Sequence, residues 1–240
     1  MATAPGTQAG RSAGLASRRA YLPGAAGVAY LVAWVAGLSE WPVNLPLNAT
    51  AAQTTASFAA HPAQAVIQFL LVEGIAGLLL GVVLGYAVLP LVRPSAALRV
   101  KGATPRATVA AVLGAVAVAM SLTQCVVGFL AASAATAHDV TRCGDLSNLV
   151  NQLDGVKMIA IAGTAAVLAT LGGTGLALPR WLRIGAVPLG IALVASGYSY
   201  LALWQPLAWT AFVSGTLLLV WVTGLGITLT VQAKSRDTAV

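Results

Sequence analysis

Charged side chains are scarce in this chain of 240 residues: they make up 8% of it, while 58% of the residues are hydrophobic. Soluble domains carry about 25% charged residues, and no soluble fold of this size could bury so much apolar surface. The shortage of charge therefore excludes an ordinary soluble protein. Lipid must be the solvent for much of the chain.

Cysteine is also rare, since the chain contains only Cys125 and Cys143. Cys125 falls inside an apolar segment and Cys143 in a polar stretch, so we predict no disulfide between them. The spacing of the cysteine and histidine residues matches no standard metal-ligand or haem-attachment pattern. We therefore predict neither a metal nor another cofactor.

Long apolar runs are what the chain does have, and a spanning helix needs about 20 residues. Six runs are expected to form such helices, roughly at 22–39, 63–91, 108–135, 148–171, 184–204 and 207–231. We predict that residues 1–20, which are small, polar and basic, form a disordered tail. The sequence thus predicts an all-α integral membrane bundle of six transmembrane helices over 21–232, with a short tail over 233–240.

The polar stretch 137–148 separates the third and fourth predicted spans. We interpret it as a solvated loop in which Asp145 or Ser147 caps the helix that follows. Basic residues are distributed unevenly across all such connections. With six spans, eleven of the 13 lysine and arginine residues fall on one side. The positive-inside rule then predicts that both termini are cytoplasmic, in a bacterial cell (inner) membrane.

Glu73 lies inside the second apolar segment, and Gly77, Gly81 and Gly85 follow it at intervals of four. The four residues share one helix face, and glycines at this spacing let another helix approach closely. We therefore expect Glu73 to face protein instead of lipid. It is either a buried hydrogen-bonding anchor or a functional acid.

Asp154 and Lys157 stand at the head of the fourth segment, three positions apart and hence neighbours on one helical surface. Pairing reduces the cost of a charge in the membrane, which is on the order of 2.5–3.5 kcal/mol. Two acids, Glu73 and Asp154, against one lysine leave an excess negative charge, so that one acid should take a proton or a cation should bind. The alternatives for the pair are a self-neutralising anchor and a functional role.

Further polar and aromatic side chains gather toward the same, outer side of the predicted membrane. Anchoring alone would scatter polar residues over both ends of the helices, so this asymmetry indicates a cavity that opens outward or into the outer leaflet. The candidate catalytic residues are Glu73, Asp154 and Lys157. The candidate binding residues are Gln124, Asn151, Tyr198, Tyr200 and Trp204.

The segments "RRAYLPG" (18–24) and "LPRWLRIGAVPLG" (178–190) resemble those of uncharacterised small polytopic membrane proteins of actinobacteria. A looser similarity is to the membrane-bound terpene cyclases, which protonate polyprene substrates with a pair of carboxylic acids. That similarity rests on size, helix count and two intramembrane acids. The chain departs from the cyclases in having six predicted spans instead of seven and in lacking their aromatic-rich motifs.

Two function classes follow. The first is a membrane-embedded enzyme that performs proton-transfer chemistry, such as cyclisation or isomerisation, on a lipid-like or isoprenoid substrate. The alternative is a small-molecule or ion transporter, or an accessory membrane subunit without catalysis. The expected partners are the lipid bilayer and a lipid-like small molecule. Nucleic acid is not expected, because the basic residues are spread between apolar segments and do not form one patch.

Overall fold

The computed structural model describes residues 6–40, 45–92, 103–171, 176 and 178–237. These residues are organised almost entirely as helices. In chain order they form α1 (Gly6–Glu40), α2 (Ala51–Ala60), α3 (Pro62–Phe69), a π-helical turn (Leu70–Ile75), α4 (Ala76–Val92), α5 (Ala103–Thr136), α6 (Val140–Leu171), α7 (Arg180–Leu201), a 3-10 turn (Gln205–Leu207) and α8 (Thr210–Asp237).

Within the described residues, six helices are long and apolar enough to cross a membrane, which agrees with the predicted number of spans. The second of them combines α3, the π-helical turn and α4 into one continuous rod. The chain is therefore all-helical in its described part and compatible with an integral membrane protein. The six segments are Ala20–Glu40, Pro62–Val92, Pro105–Thr136, Val140–Leu171, Arg180–Leu201 and Thr210–Ser235.

The spans pack in a ring that follows chain order. Helix α4 contacts α5, α5 contacts α6, α6 contacts α7 and α7 contacts α8, while α1 contacts both α8 and α4 and so closes the ring. Aliphatic side chains such as Val83, Leu168, Leu189 and Val222 fill the interior.

The two ends of the bundle differ in charge. At the end that we call the α2 end, helix α1 finishes and α2 packs across α5 and α6. At the opposite end, which we call the basic end, Arg180, Arg183 and Lys234 are exposed. The acidic residues with described side chains all lie toward the α2 end: Glu40, Glu73, Asp139, Asp145 and Asp154.

Helix α2 was not among the predicted elements, although the sequence carries a signal for it. The Thr50 hydroxyl accepts from the Gln53 backbone N–H at 3.2 Å, and the Gln53 side chain accepts from the Thr50 N–H at 2.9 Å. This reciprocal arrangement is a capping box, which Thr-x-x-Gln can form. The helix then buries Phe58, whose ring contacts that of Phe69 at 6.2 Å between centroids.

The prediction of a solvated loop over 137–148 is wrong for most of its length. Helix α6 already begins at Val140, and the carboxylate that caps it is that of Asp139, which accepts from the Arg142 N–H at 3.1 Å. The stretch is polar yet helical because one of its faces is covered by α2. A Cβ on Gly144 would meet that of Ala51.

Both cysteines are free, as predicted, but the polar environment expected for Cys143 is wrong. Cys143 is fully buried in a small cluster with Phe58, Ala131 and Ala135, where α2 covers α5 and α6. The predicted disordered tail also differs from the structure, which is helical from Gly6 onward. The alanine, leucine and arginine residues of that stretch favour helix. Residues 1–5 and 238–240 lie outside the described residues.

Candidate functional site

Glu73 lies in the π-helical turn, between Val72 and Gly74. Such turns are rare in helices and occur frequently at functional sites. The glycine that follows the acid allows α5 to approach, because a Cβ on Gly74 would lie 3.1 Å from the Cys125 sulfur. Glu73 is only 7% exposed, which confirms that it faces protein.

Lys157 of α6 joins Glu73 to Asp154. Its ammonium nitrogen donates to Glu73 Oε1 at 2.9 Å and to Glu73 Oε2 at 2.7 Å, and it lies 2.6 Å from Asp154 Oδ1. An ammonium has three donors, and these three oxygens match them. The structure therefore brings Glu73, Asp154 and Lys157 into contact as one buried triad, so the three residues belong to a single site.

Ser121 of α5 completes the surroundings of Glu73 by donating from its hydroxyl to Glu73 Oε2 at 2.7 Å. The glycine stripe formed by Gly77, Gly81 and Gly85 explains how α5 comes so near to Glu73. A Cβ on Gly77 would lie 2.8 Å from Ser121 Cβ, and one on Gly81 would lie 3.2 Å from Val118. The predicted close helix approach is thus confirmed at Gly77 and Gly81, whereas Gly85 has no neighbour from another helix within 4 Å.

Asp154 is the member of the triad nearest to solvent, with a side chain that is 15% exposed. The next residue, Gly155, fixes its place against α7. A Cβ on Gly155 would lie 2.6 Å from the Gly197 carbonyl oxygen, and one on Gly197 would lie 2.9 Å from that of Gly155. The two backbones therefore touch, and α6 cannot rotate to take Asp154 out of the site without separating the helices.

The charges of the triad do not balance when all three groups are ionised, because two carboxylates face one ammonium. Glu73 and Lys157 are almost fully buried, and unbalanced charge in such surroundings is costly. One proton on either carboxyl balances the site. A shared proton between Glu73 and Asp154 is the simplest chemistry that the arrangement supports.

No family model, curated protein or solved structure matched the chain.

Gln124, a predicted binding residue, lies above the triad toward the α2 end. Its amide nitrogen donates to the Val150 carbonyl at 3.1 Å, and Val150 is one helical turn before Asp154. The amide oxygen is buried and has no hydrogen-bond partner among the described residues. A buried acceptor of this kind needs a donor, which a water molecule can supply.

Among the described residues, the remaining predicted binding residues make no hydrogen bond to the triad helices of the kind that Gln124 makes. Tyr198 and Trp204 are exposed and form an edge-to-face pair, with 6.0 Å between ring centroids. Asn151 is half-buried on α6. Tyr200 is near enough for the charges of Asp154 and Lys157 to act on its hydroxyl.

Two residues at the site escape sequence reasoning. Ser121 is a single small hydroxyl in a long apolar segment, and its place three positions before Gln124 is the one available signal. Tyr30 of α1 is 2% exposed, and the charges of Lys157, Glu73 and Asp154 act on its hydroxyl. The sequence signal for Tyr30 is that a tyrosine lies deep within the apolar run of α1.

Two grooves of the described surface were compared with the predicted outward cavity. One groove, of about 410 Å³, follows the outer seam between α4 and α5. The other, of about 700 Å³, lies near the basic end between α1, α7 and α8. Neither is lined by a triad residue, and the outward-opening cavity stays a prediction.

Proposed function

We propose that the chain is a multi-pass protein of the bacterial cell membrane, with both termini in the cytoplasm, in which the buried triad exchanges a proton with a lipid-like molecule. The α2 end then faces outward. The concentration of basic residues at the opposite end supports this orientation. The proposed reaction class is acid–base chemistry, such as cyclisation or isomerisation.

The observation that carries the proposal is the single lysine shared by two carboxyl groups. Lys157 donates to both oxygens of Glu73 and lies against Asp154. With one proton between them, one carboxyl is neutral and can act as a general acid, while the other is ionised and can accept a proton. Lys157 stabilises whichever carboxylate is charged.

Water can approach the triad from one side only. Toward the α2 end, Asp154 is partly exposed and the unpaired oxygen of Gln124 offers a place for water. Toward the basic end, the bundle continues in apolar side chains, including Leu80, Val83, Ile161 and Leu168. A carrier needs a route to both sides of its site, so the dry layer below the triad favours local proton exchange over transport.

The groove along α4 and α5 supports a lipid-like substrate. It is lined by small and aliphatic residues, among them Val118 and Leu122. Leu122 follows Ser121, whose hydroxyl is hydrogen-bonded to Glu73. An apolar chain that lies in this groove would therefore end close to the acid, separated from it by one serine.

The test compares membrane lipids from a deletion strain that expresses wild type, Glu73→Gln, Asp154→Asn or Glu40→Gln. Glu40 ends α1 at the same end of the bundle and is exposed, which makes it a matched control. Wild type and Glu40→Gln should restore the lipid species that is lost on deletion, whereas the two triad variants should insert normally and fail to restore it. Full restoration by Glu73→Gln would exclude the acid–base role. Identical lipids in the deletion and wild-type strains would exclude a lipid-like substrate.

A further inference from the structure

Three buried side-chain oxygens have no hydrogen-bond partner in the described part of the chain: Ser57 Oγ, Gln124 Oε1 and Ser147 Oγ. They belong to α2, α5 and α6, three helices that pack against one another toward the α2 end of the bundle. Buried polar groups are nearly always paired, either with protein or with water. Three unpaired oxygens in one region therefore indicate that water is bound there.

The two serines differ from other hydroxyl groups on the same helices. Thr55 of α2 and Thr164 of α6 donate to the carbonyl oxygens of Ala51 and Ala160, four positions earlier, at 2.8 and 2.9 Å. This is a common way for a helical hydroxyl to be satisfied. The buried Ser57 and Ser147 hydroxyls form no such bond, so both are available to a molecule that is not part of the chain.

Gln124 holds its unpaired oxygen at the depth of Asp154. The Gln124 amide nitrogen donates to the Val150 carbonyl oxygen at 3.1 Å. In an α-helix the same carbonyl accepts from the N–H of the residue four positions later, which is Asp154. One carbonyl oxygen therefore separates the Gln124 amide from the Asp154 backbone. Gln124 is 1% exposed, so its Oε1 lies inside the protein.

One face of α6 connects the two depths. Ser147, Asn151 and Asp154 are spaced by four and three positions, which places them on one side of the helix. Helix α2 lies against α6 one turn before Ser147, where a Cβ on Gly144 would meet Ala51. Ser147 and Asp154 are seven positions apart, or about 10 Å along the axis. About three or four water molecules at hydrogen-bonding separations of about 2.8 Å span this distance.

We propose that a file of buried water molecules runs from beneath α2 along this face of α6, is bound by Ser147 and Gln124, and ends at the Asp154 carboxyl group. Water donates to Gln124 Oε1 and pairs with the Ser147 hydroxyl, so that each buried group is satisfied. The role of the file rests on the acid–base function proposed above. The file then supplies protons to the triad from the α2 end.

Water-edited solid-state NMR of the full-length protein in lipid bilayers tests the file at Gln124. The side-chain nitrogens of glutamine and tryptophan are isotopically labelled, and Gln124→Leu and Trp221→Phe assign two signals by their loss. Magnetisation from water should reach the Gln124 amide on the timescale of exposed Gln53. It should reach Trp221 later, because that indole is 3% exposed and lies in the apolar interior. Equally slow transfer to Gln124 and Trp221 in wild type would overturn the proposal.

A matched pair of variants tests the route. Ser147→Val replaces the hydroxyl with methyl groups and should slow transfer to Gln124 several-fold, while transfer to exposed Gln53 stays unchanged. Thr164→Val makes a similar change in α6 on the other side of the triad, where the hydroxyl is already bonded to Ala160, and should alter neither signal. Unchanged transfer to Gln124 in Ser147→Val would show that water does not follow this face.

Deuterium exchange separates this inference from the proposed function. In deuterated water, the infrared band of a protonated triad carboxyl should shift several-fold later in Ser147→Val than in wild type. Equal rates in the two proteins would contradict the file. A hydrated Gln124 in a protein without any protonated carboxyl band would support the file and refute the acid–base function. A carboxyl band together with a dry Gln124 would refute the file alone.

Discussion

The ammonium nitrogen of Lys157 lies 2.7 Å from Glu73 Oε2, although the two residues are 84 positions apart in the chain. One side chain stands on α6 and the other on the π-helical turn, and α5 borders both helices. The pairing links the second and fourth spans through their interior. Because the same nitrogen also contacts Asp154, the loss of the lysine leaves the two carboxyl groups and the negative charge that they share without a counter-charge.

Lys157→Met is therefore expected to be the most destabilising single change in the triad. Removal of one member of a buried ion pair costs about 3–5 kcal/mol, whereas replacement of all members is often neutral. The triple variant Glu73→Gln/Asp154→Asn/Lys157→Met should regain most of the loss. Thermal melting in detergent measures both proteins. Equal losses for the single and triple variants would mean that the charges are separately solvated.

The two acids should behave differently from the lysine. Glu73→Gln or Asp154→Asn leaves a neutral carboxylate–ammonium pair, so each should lower the melting temperature less than Lys157→Met does. Each should nevertheless remove the proton that the two carboxyl groups share. Infrared difference spectra, recorded across a pH titration, should show a protonated carboxyl band in wild type that is absent from both variants. A band that persists in both would place the proton on another group.

The triad shows which parts of the site could be predicted from the sequence and which could not. Glu73, Asp154 and Lys157 were identifiable because charges inside apolar segments are rare and costly. It was not possible to predict that the three residues meet in one site. Their meeting depends on how α5 packs between two helices and on a π-helical turn, which hydrophobic periodicity does not predict. Ser121 and Tyr30 were missed for the same reason, since an isolated hydroxyl in an apolar run acquires its role only from its neighbours.

The number of spans could be predicted because hydropathy and length determine it. The start of α6 at Val140 could not, since the helix extends beyond its apolar part only where α2 covers it. The burial of Cys143 follows from the same contact. Elements that depend on tertiary packing are therefore where the sequence-based prediction failed.

The glycine stripe offers a matched pair of substitutions. Gly77→Ala would place a methyl group 2.8 Å from Ser121 Cβ, forcing α5 away and weakening the Ser121–Glu73 hydrogen bond. The expected loss of unfolding free energy is about 1–3 kcal/mol, as for other overpacked sites. Gly85→Ala meets only Leu89 of its own helix, at 3.9 Å, and should be neutral or slightly stabilising. Similar melting temperatures for the two variants would contradict the close α4–α5 contact.

The orientation of the bundle can be tested with new cysteines, because the native ones are buried. Wild type should resist a membrane-impermeant thiol reagent even after lysis, and this makes it the background control. Thr141 and Arg180 are exposed at the α2 end and the basic end, respectively. Since basic residues favour the cytoplasmic side, Thr141→Cys should react in intact cells and Arg180→Cys only after lysis. The reverse pattern would place the triad's accessible side in the cytoplasm and remove the outward access on which the proposed chemistry depends.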